Sequence, residues 1–264
     1  MRTSSLILLA WLSMAVVGQL PVIEPYRVSL PEILATPSTD HWLGTDELGR
    51  PVLDRLLSGA GVSLLVALTT VTISALIGIA VGLVAGYFGG VTDRLISRVI
   101  EIFLAFPGML LAIAMAAMIG PGIDNVIIAL AVMGWVGYAR LVRVQVMALR
   151  QRDHVLAAGA LGSSDLTIMR RHLLPLVMAP VWVEASFGVA GAVVAEAGLS
   201  FLGLGIQAPE ASWGGMIRDG VRYLLVAPHL VVAPGMALFL VVLAANLFGD
   251  ALRDRFDVTS RNSW

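Results

Sequence analysis

Apolar residues fall in six long blocks, near 5–23, 63–88, 100–120, 126–147, 176–204 and 228–249, separated by short clusters of Arg, Asp, Glu, Gly and Pro. A helix that crosses a bilayer needs about 20 mostly apolar residues, so the pattern predicts six transmembrane helices and no strands. The second and fifth blocks exceed that length, which a span accommodates by tilting, kinking or carrying interfacial ends. Met1-Arg2 followed by the apolar run Leu6 to Val17 also has the outline of a secretory signal peptide. Gln19-Leu20-Pro21 is a poor cleavage site, so this block is expected to stay as a signal anchor.

The polar punctuation orients the spans. With the N-terminus inside, five of the seventeen basic residues fall outside, namely Arg27, Arg50, Arg55, Arg218 and Arg222, and the other twelve inside. That asymmetry predicts cytoplasmic termini. The outer segment 24–62 is too poor in apolar residues for a domain of its own. Within it Asp46 and Arg50 stand i, i+4 before Val52, Leu53, Leu56 and Leu57, which line one side of an expected interfacial helix. In the second span Gly78, Gly82 and Gly86 recur every fourth residue, a smooth face for close helix packing.

The longest inner loop, 148–175, reads as two short helices broken at Gly162, a residue suited to the left-handed position where a helix stops. Ser163 or Ser164 can cap the second helix, and Asp165 in its first turn suits the positive dipole end. Leu166, Met169 and Leu173 then repeat at helical spacing beside Arg170 and Arg171. A projecting helix of this kind either connects two spans in solvent or docks in a groove of a partner.

Four acids lie in or at the ends of spans: Glu101, Glu184, Glu196 and Asp250. A charge at membrane depth faces a partner or a water-filled path. Glu101 stands i+3 from Arg98, as an ion pair would. Glu184 and Glu196 are twelve residues apart, about 18 Å along a helix, too far to act as one site. Each is a candidate for the translocation path, holding an amino group or a cation, or a helix–helix hydrogen bond. The histidines, His41, His154, His172 and His229, have no chelating spacing, so no metal site is expected.

Composition narrows the chemistry. Of 264 residues 58% are hydrophobic and 13% charged, too few charges to solvate a globular surface, and a net charge of −1 offers nothing to nucleic acid. There is no Cys, and every basic residue is Arg. Without Lys the chain carries no Walker phosphate loop and forms no Schiff base, and neither an HExxH pair nor a GxSxG elbow is present. An intramembrane enzyme is therefore disfavoured, no cofactor is expected, and any ATP must be bound by another subunit. A secondary transporter would carry internal repeats, and none is evident between the halves.

Several motifs resemble one family. Ala157-Ala158, Gly162, His172, Leu174 and Pro175 resemble the EAA loop of ABC importer permeases, with Leu156 in place of its Glu and His172 in place of an Ile. His41 to Arg50 resembles the HxLGTDxxGRD element of peptide and nickel permeases, with Pro51 replacing the final Asp. Glu196 to Gly205, with Pro209 and Ser212-Trp213-Gly214, resembles EAxLSFLGLG…P…SWG. Ala227-Pro228, Pro234-Gly235 and Asn246 to Asp254 resemble APxxxxxPG and NLxGDxLRD. The resemblance implies an all-α permease of the dipeptide, oligopeptide and nickel (C-type) importers, in the bacterial inner membrane. The implied organisation is a signal anchor and outer segment at 1–62, a permease domain at 63–257 and a cytoplasmic tail at 258–264. The implied partners are a second permease subunit, two ATPase subunits, an extracytoplasmic binding protein and membrane lipid. Ala157, Ala158, Gly162, Asp165, Leu174 and Pro175 would couple to the ATPase. Peptides are the expected cargo, with nickel second.

Overall fold

The computed structural model describes residues 2–261. Among them the chain forms helices α1 (Arg2–Val17), α2 (Val52–Phe88), α3 (Gly90–Leu104), α4 (Gly108–Ile119) and α5 (Ile123–Leu149). There follow α6 (Asp153–Ala160), the single turn α7 (Asp165–Thr167), a π-helical turn (Ile168–Leu173), α8 (Leu174–Phe201), α9 (Trp213–Val221) and α10 (His229–Arg261). The tail expected from residue 258 continues α10 to Arg261, and residues 262–264 lie outside the described residues.

Against six expected spans, four helical runs are long and apolar enough to cross a membrane: α2, α5, Asp165–Phe201 and His229–Phe256. The expected span at 100–120 is instead α3 and α4, bent by 81°, and counts as a fifth only if the pair is one span. Pro107 causes the break, since it has no N–H for a helical bond and pushes the preceding residue out of the α region. The first apolar helix, Thr3–Val17, is shorter than a straight span and packs on α2 and α10. The expected interfacial helix is not separate: residues from Val52 onward are the first turns of α2, with Val52 and Leu56 buried.

The most extensive helix contact is α2 against α5. Gly78, Gly82 and Gly86 all face α5, where a Cβ on Gly82 would come within 2.6 Å of the Ala139 carbonyl and one on Gly86 within 2.7 Å of the Arg143 carbonyl. The predicted glycine face therefore lets two backbones meet. Val142 and Val146 fill the seam and continue into a core with Leu173, Val177 and Val193.

The N-terminal end of α2 is tied by charges. Asp46 closes its own turn, accepting from the N–H groups of Leu48 and Arg50 at 2.9 Å each. Its second oxygen accepts from Arg50 Nε at 2.7 Å and from Nη1 of Arg55 in α2. All three side chains are buried, and Glu47 takes Arg50 Nη2 at 3.0 Å. Thr45, also buried, donates to the Glu32 carbonyl and accepts from the Ala35 N–H at 2.9 Å. Trp213 completes this end, fully buried, donating Nε1 to the Leu56 carbonyl at 3.0 Å and lying 6.4 Å from the Trp11 ring.

Two stability changes are expected. Gly82→Leu forces α2 from α5 and costs at least about 1–3 kcal/mol, measured as a fall in the thermal midpoint of the solubilised protein. Asp46→Ala strands the buried Arg55 guanidinium, leaves Arg50 only its Glu47 partner and costs about 3–5 kcal/mol by the same measurement, with a smaller loss when Arg50 and Arg55 are removed along with it.

Candidate functional site

The loop 148–175 begins where α5 ends and is held to α2 by two side chains. Arg150, the C-cap of α5, donates Nη1 to the Tyr87 carbonyl at 3.0 Å. The Tyr87 hydroxyl in turn donates to Asp165 Oδ1 at 2.7 Å. The last turn of α2 thus grips both the entrance to the loop and its second helix. A further clamp joins Arg143 of α5 to Asp93 at the start of α3 through two parallel bonds, the Nη2 arm at 2.8 Å.

Within the loop Gly162 has φ +81°, a left-handed conformation that costs a residue with a Cβ about 1–2 kcal/mol. Ser164 is the cap, its Oγ accepting from the Thr167 N–H at 3.4 Å. Ala158 is buried in the same cluster as Val155, Ile168 and Leu173, whereas Ala157 is exposed. Leu174 packs on that cluster from its edge, and Pro175 stands exposed in the first turn of α8, directly after the π-helical turn. The apolar stripe divides: Leu173 is fully buried, but Leu166 is 70% exposed. With Leu161 at 87% and Leu156 at 59%, the loop carries large apolar side chains that stand largely uncovered among the described residues.

The two candidate carboxylates have different surroundings. Glu196 is fully buried, accepting from Ser63 Oγ of α2 at 3.2 Å and from Ser200 Oγ at 2.8 Å. Ser200 Oγ also accepts from the Ile206 N–H at 3.1 Å, so the carboxylate fixes the turn that follows α8. Close by, Ser212 caps α9 by accepting from the Gly215 N–H at 3.1 Å, and Gly214 lies so near the Ala197 carbonyl that no side chain fits. Glu184 instead lines a cavity of about 310 Å³ between α2, α4, α5 and α8.

The structure brings Ala158 and Leu174 onto one core and links Asp165 to α2, and it separates Glu184 from Glu196. Glu101 forms the expected exposed pair with Arg98 at 2.8 Å. The spacing left Tyr87, Arg150 and the π turn unnoticed, because their role depends on contacts between distant segments. The His154 and His172 rings come within 6.4 Å, also unforeseen, yet among the described residues no group of three or more acidic or histidine side chains could hold a metal.

Comparison with known proteins fits this geometry. Residues 78–261 match the family described as the binding-protein-dependent transport system inner membrane component. The glutathione transport system permease protein GsiD of Pectobacterium atrosepticum is 42% identical over 221 residues, 84% of this chain and 73% of that protein. The dipeptide transport system permease protein DppC of Alkalihalophilus pseudofirmus is 44% identical over 224 residues, 85% of this chain and 74% of the relative. DppC of Bacillus subtilis is 43% identical over 256 residues, 95% of this chain and 79% of its own length. The fold is similar to a chain of the inward facing MetNI methionine ABC transporter, with TM-score 0.61 and 20% identity over 77% of this chain and 97% of the other. A bundle of apolar helices with a family match over most of its length leaves one assignment: the chain belongs to the binding-protein-dependent transport inner membrane components, as a multi-pass ABC importer permease subunit of the bacterial inner membrane.

Proposed function

We propose that this chain forms half of the path through which an ATP-driven importer moves di- and oligopeptides. The named relatives transport dipeptides and glutathione, each a short peptide with a free amino group, and this favours peptide over nickel as cargo. A second permease subunit supplies the other half of the path, and an extracytoplasmic binding protein delivers cargo to the outer face. The N- and C-termini lie in the cytoplasm, as the arginine asymmetry indicates. This subunit is not catalytic: hydrolysis belongs to two partner ATPases.

The observation that carries the reading is the inner loop. Leu156, Leu161 and Leu166 stand uncovered on a segment whose base is fastened to α2 through Tyr87, Asp165 and Arg150. An ATPase groove that covers those leucines can pull on α2 and α5 directly. Ala157, Ala158, Gly162, Asp165, Leu174 and Pro175 shape that element. Glu196, held by two hydroxyls, acts as a brace of the outer end, and Glu184 is the acid that faces the path.

Proteoliposomes holding the complete transporter test this. With binding protein and ATP, a labelled dipeptide should accumulate inside, and omission of the ATPase subunits should abolish uptake. Gly162→Val should lower uptake at least ~10-fold, combining the left-handed penalty with a misplaced docking helix. Uptake that persists without the ATPases would sink the proposal. Tyr87→Phe keeps the ring and loses the bond to Asp165, so it should reduce dipeptide uptake per ATP hydrolysed ~2- to 10-fold while the protein stays folded.

A further inference from the structure

Beside α3 the structure gathers positive charge. An open cavity of about 420 Å³ is lined by Arg94 and Arg98 of α3 and by Arg140 and Arg143 of α5, against two acids, Asp93 and Glu101. Both acids are already engaged: Arg143 grips Asp93 with two bonds, and Glu101 accepts from Arg98 Nη1 at 2.8 Å. Arg94 spends only its Nε, on the Gly90 carbonyl at 3.4 Å, and Arg140 makes no hydrogen bond or ion pair among the described residues. Two of the four positive charges are therefore unmatched. Arg94, Arg98 and Arg140 are all exposed, so their remaining donors are open to a ligand. Guanidinium forks fit the oxygens of a phosphate.

The same helix carries an uncovered apolar face beside these charges. Val91, Leu95, Val99 and Ile102 recur every three or four residues along α3 and are 45–64% exposed. Another side of α3 is used inside the protein, where Ile100 packs with Val136 and Ala139, and Phe103 meets Trp135 edge on. At helical spacing Arg94 and Arg98 fall on the border of the uncovered face, next to Val91 and Ile102. A ligand that satisfies both features bears an anionic group and an apolar tail side by side. That is the layout of an anionic phospholipid.

We infer that Arg94, Arg98 and Arg140 bind the phosphodiester headgroup of an anionic phospholipid, with an acyl chain lying along Val91, Leu95, Val99 and Ile102. Basic pockets between membrane helices suit such headgroups, since charge attraction and acyl-chain contact act together at the edge of the bilayer. The pair of Arg98 and Glu101 is largely exposed, its side chains 80% and 60% accessible, so it holds Arg98 weakly and leaves it free to turn toward a phosphate. Phosphatidylethanolamine carries an ammonium that the arginines repel, which favours a headgroup with net negative charge. A phosphate held between Arg94 and Arg140 joins α3 to α5, the same two helices that Asp93 and Arg143 already clamp. Lipid bound there steadies α3 against α5 whichever cargo the transporter moves.

The test is native mass spectrometry of the complete transporter in detergent, titrated separately with phosphatidylglycerol, phosphatidylethanolamine and inorganic phosphate. The unaltered complex should retain phosphatidylglycerol in preference to phosphatidylethanolamine, and inorganic phosphate, which lacks the tail, should not displace it. Arg94→Gln combined with Arg140→Gln should weaken phosphatidylglycerol binding ~25-fold, about fivefold for each charge removed. Arg152→Gln combined with Arg222→Gln removes two exposed arginines that do not line the cavity, and should leave the affinity unchanged. Wild-type affinity in the Arg94→Gln, Arg140→Gln protein overturns the inference, as does an equal loss in the control pair, which would reduce the effect to net charge. Displacement by inorganic phosphate also overturns it, in favour of a free-anion site. If the Arg94→Gln, Arg140→Gln complex instead sheds a partner subunit in the same spectra, the arginines belong to a protein contact and the lipid site is refuted.

Discussion

The close approach of α2 to α5 is the contact on which the other features depend. In a bilayer, helices gain little by hiding apolar side chains from one another, because lipid is as apolar as leucine, and their association rests on packing and hydrogen bonds. Gly78, Gly82 and Gly86 let α2 lie against α5 backbone to backbone. That seam sets where Thr70 and Ser74 meet Tyr138 in the middle. At its inner end Tyr87 comes beside Arg150, which closes the grip on the loop.

Polar side chains are then used where the seam ends. At the N-terminal end of α2 Asp46 holds Arg50 and Arg55, and Glu196 holds Ser63 and Ser200. At the opposite end Arg143 holds Asp93, and Tyr87 holds Asp165. Each of these ties joins α2 or α5 to a segment that spacing alone would leave free. Between them Thr70, Ser74 and Tyr138 keep buried hydroxyls with no hydrogen-bond partner among the described residues, as do Trp11 Nε1, Arg55 Nε and Ser97 Oγ elsewhere.

The family motifs acquire physical content from this arrangement. In the segment from Glu196 to Gly214, Glu196 and Ser200 exchange a hydrogen bond, Trp213 fills the space against α2, and Gly214 permits contact with Ala197. In the segment from His41 to Arg50, Thr45 and Asp46 close turns around Gly44 and Gly49, whose φ values are +73° and +72°. Both motifs therefore build the frame at the N-terminal end of α2, and neither lines the central cavity.

Much of this was legible in the sequence because bilayer burial acts residue by residue: apolar runs, the glycine repeat, the stop at Gly162 and the Arg98–Glu101 pair depend only on local spacing. The motifs carried the family. Spacing failed wherever the deciding neighbour is distant in the chain. Nothing local told the buried, hydroxyl-held Glu196 from Glu184, which makes no ion pair among the described residues, nor brought Thr70, Ser74 and Tyr138 beside one cavity. The break at Pro107 was written in the chain, yet its 81° angle was not, since that depends on what α3 and α4 pack against. Sequence alone determined that the chain enters a membrane as helices, because hydrophobicity and backbone satisfaction are properties of each segment. Only the tertiary structure decided which polar groups are matched and which are not, because a hydrogen bond between spans requires two segments to meet.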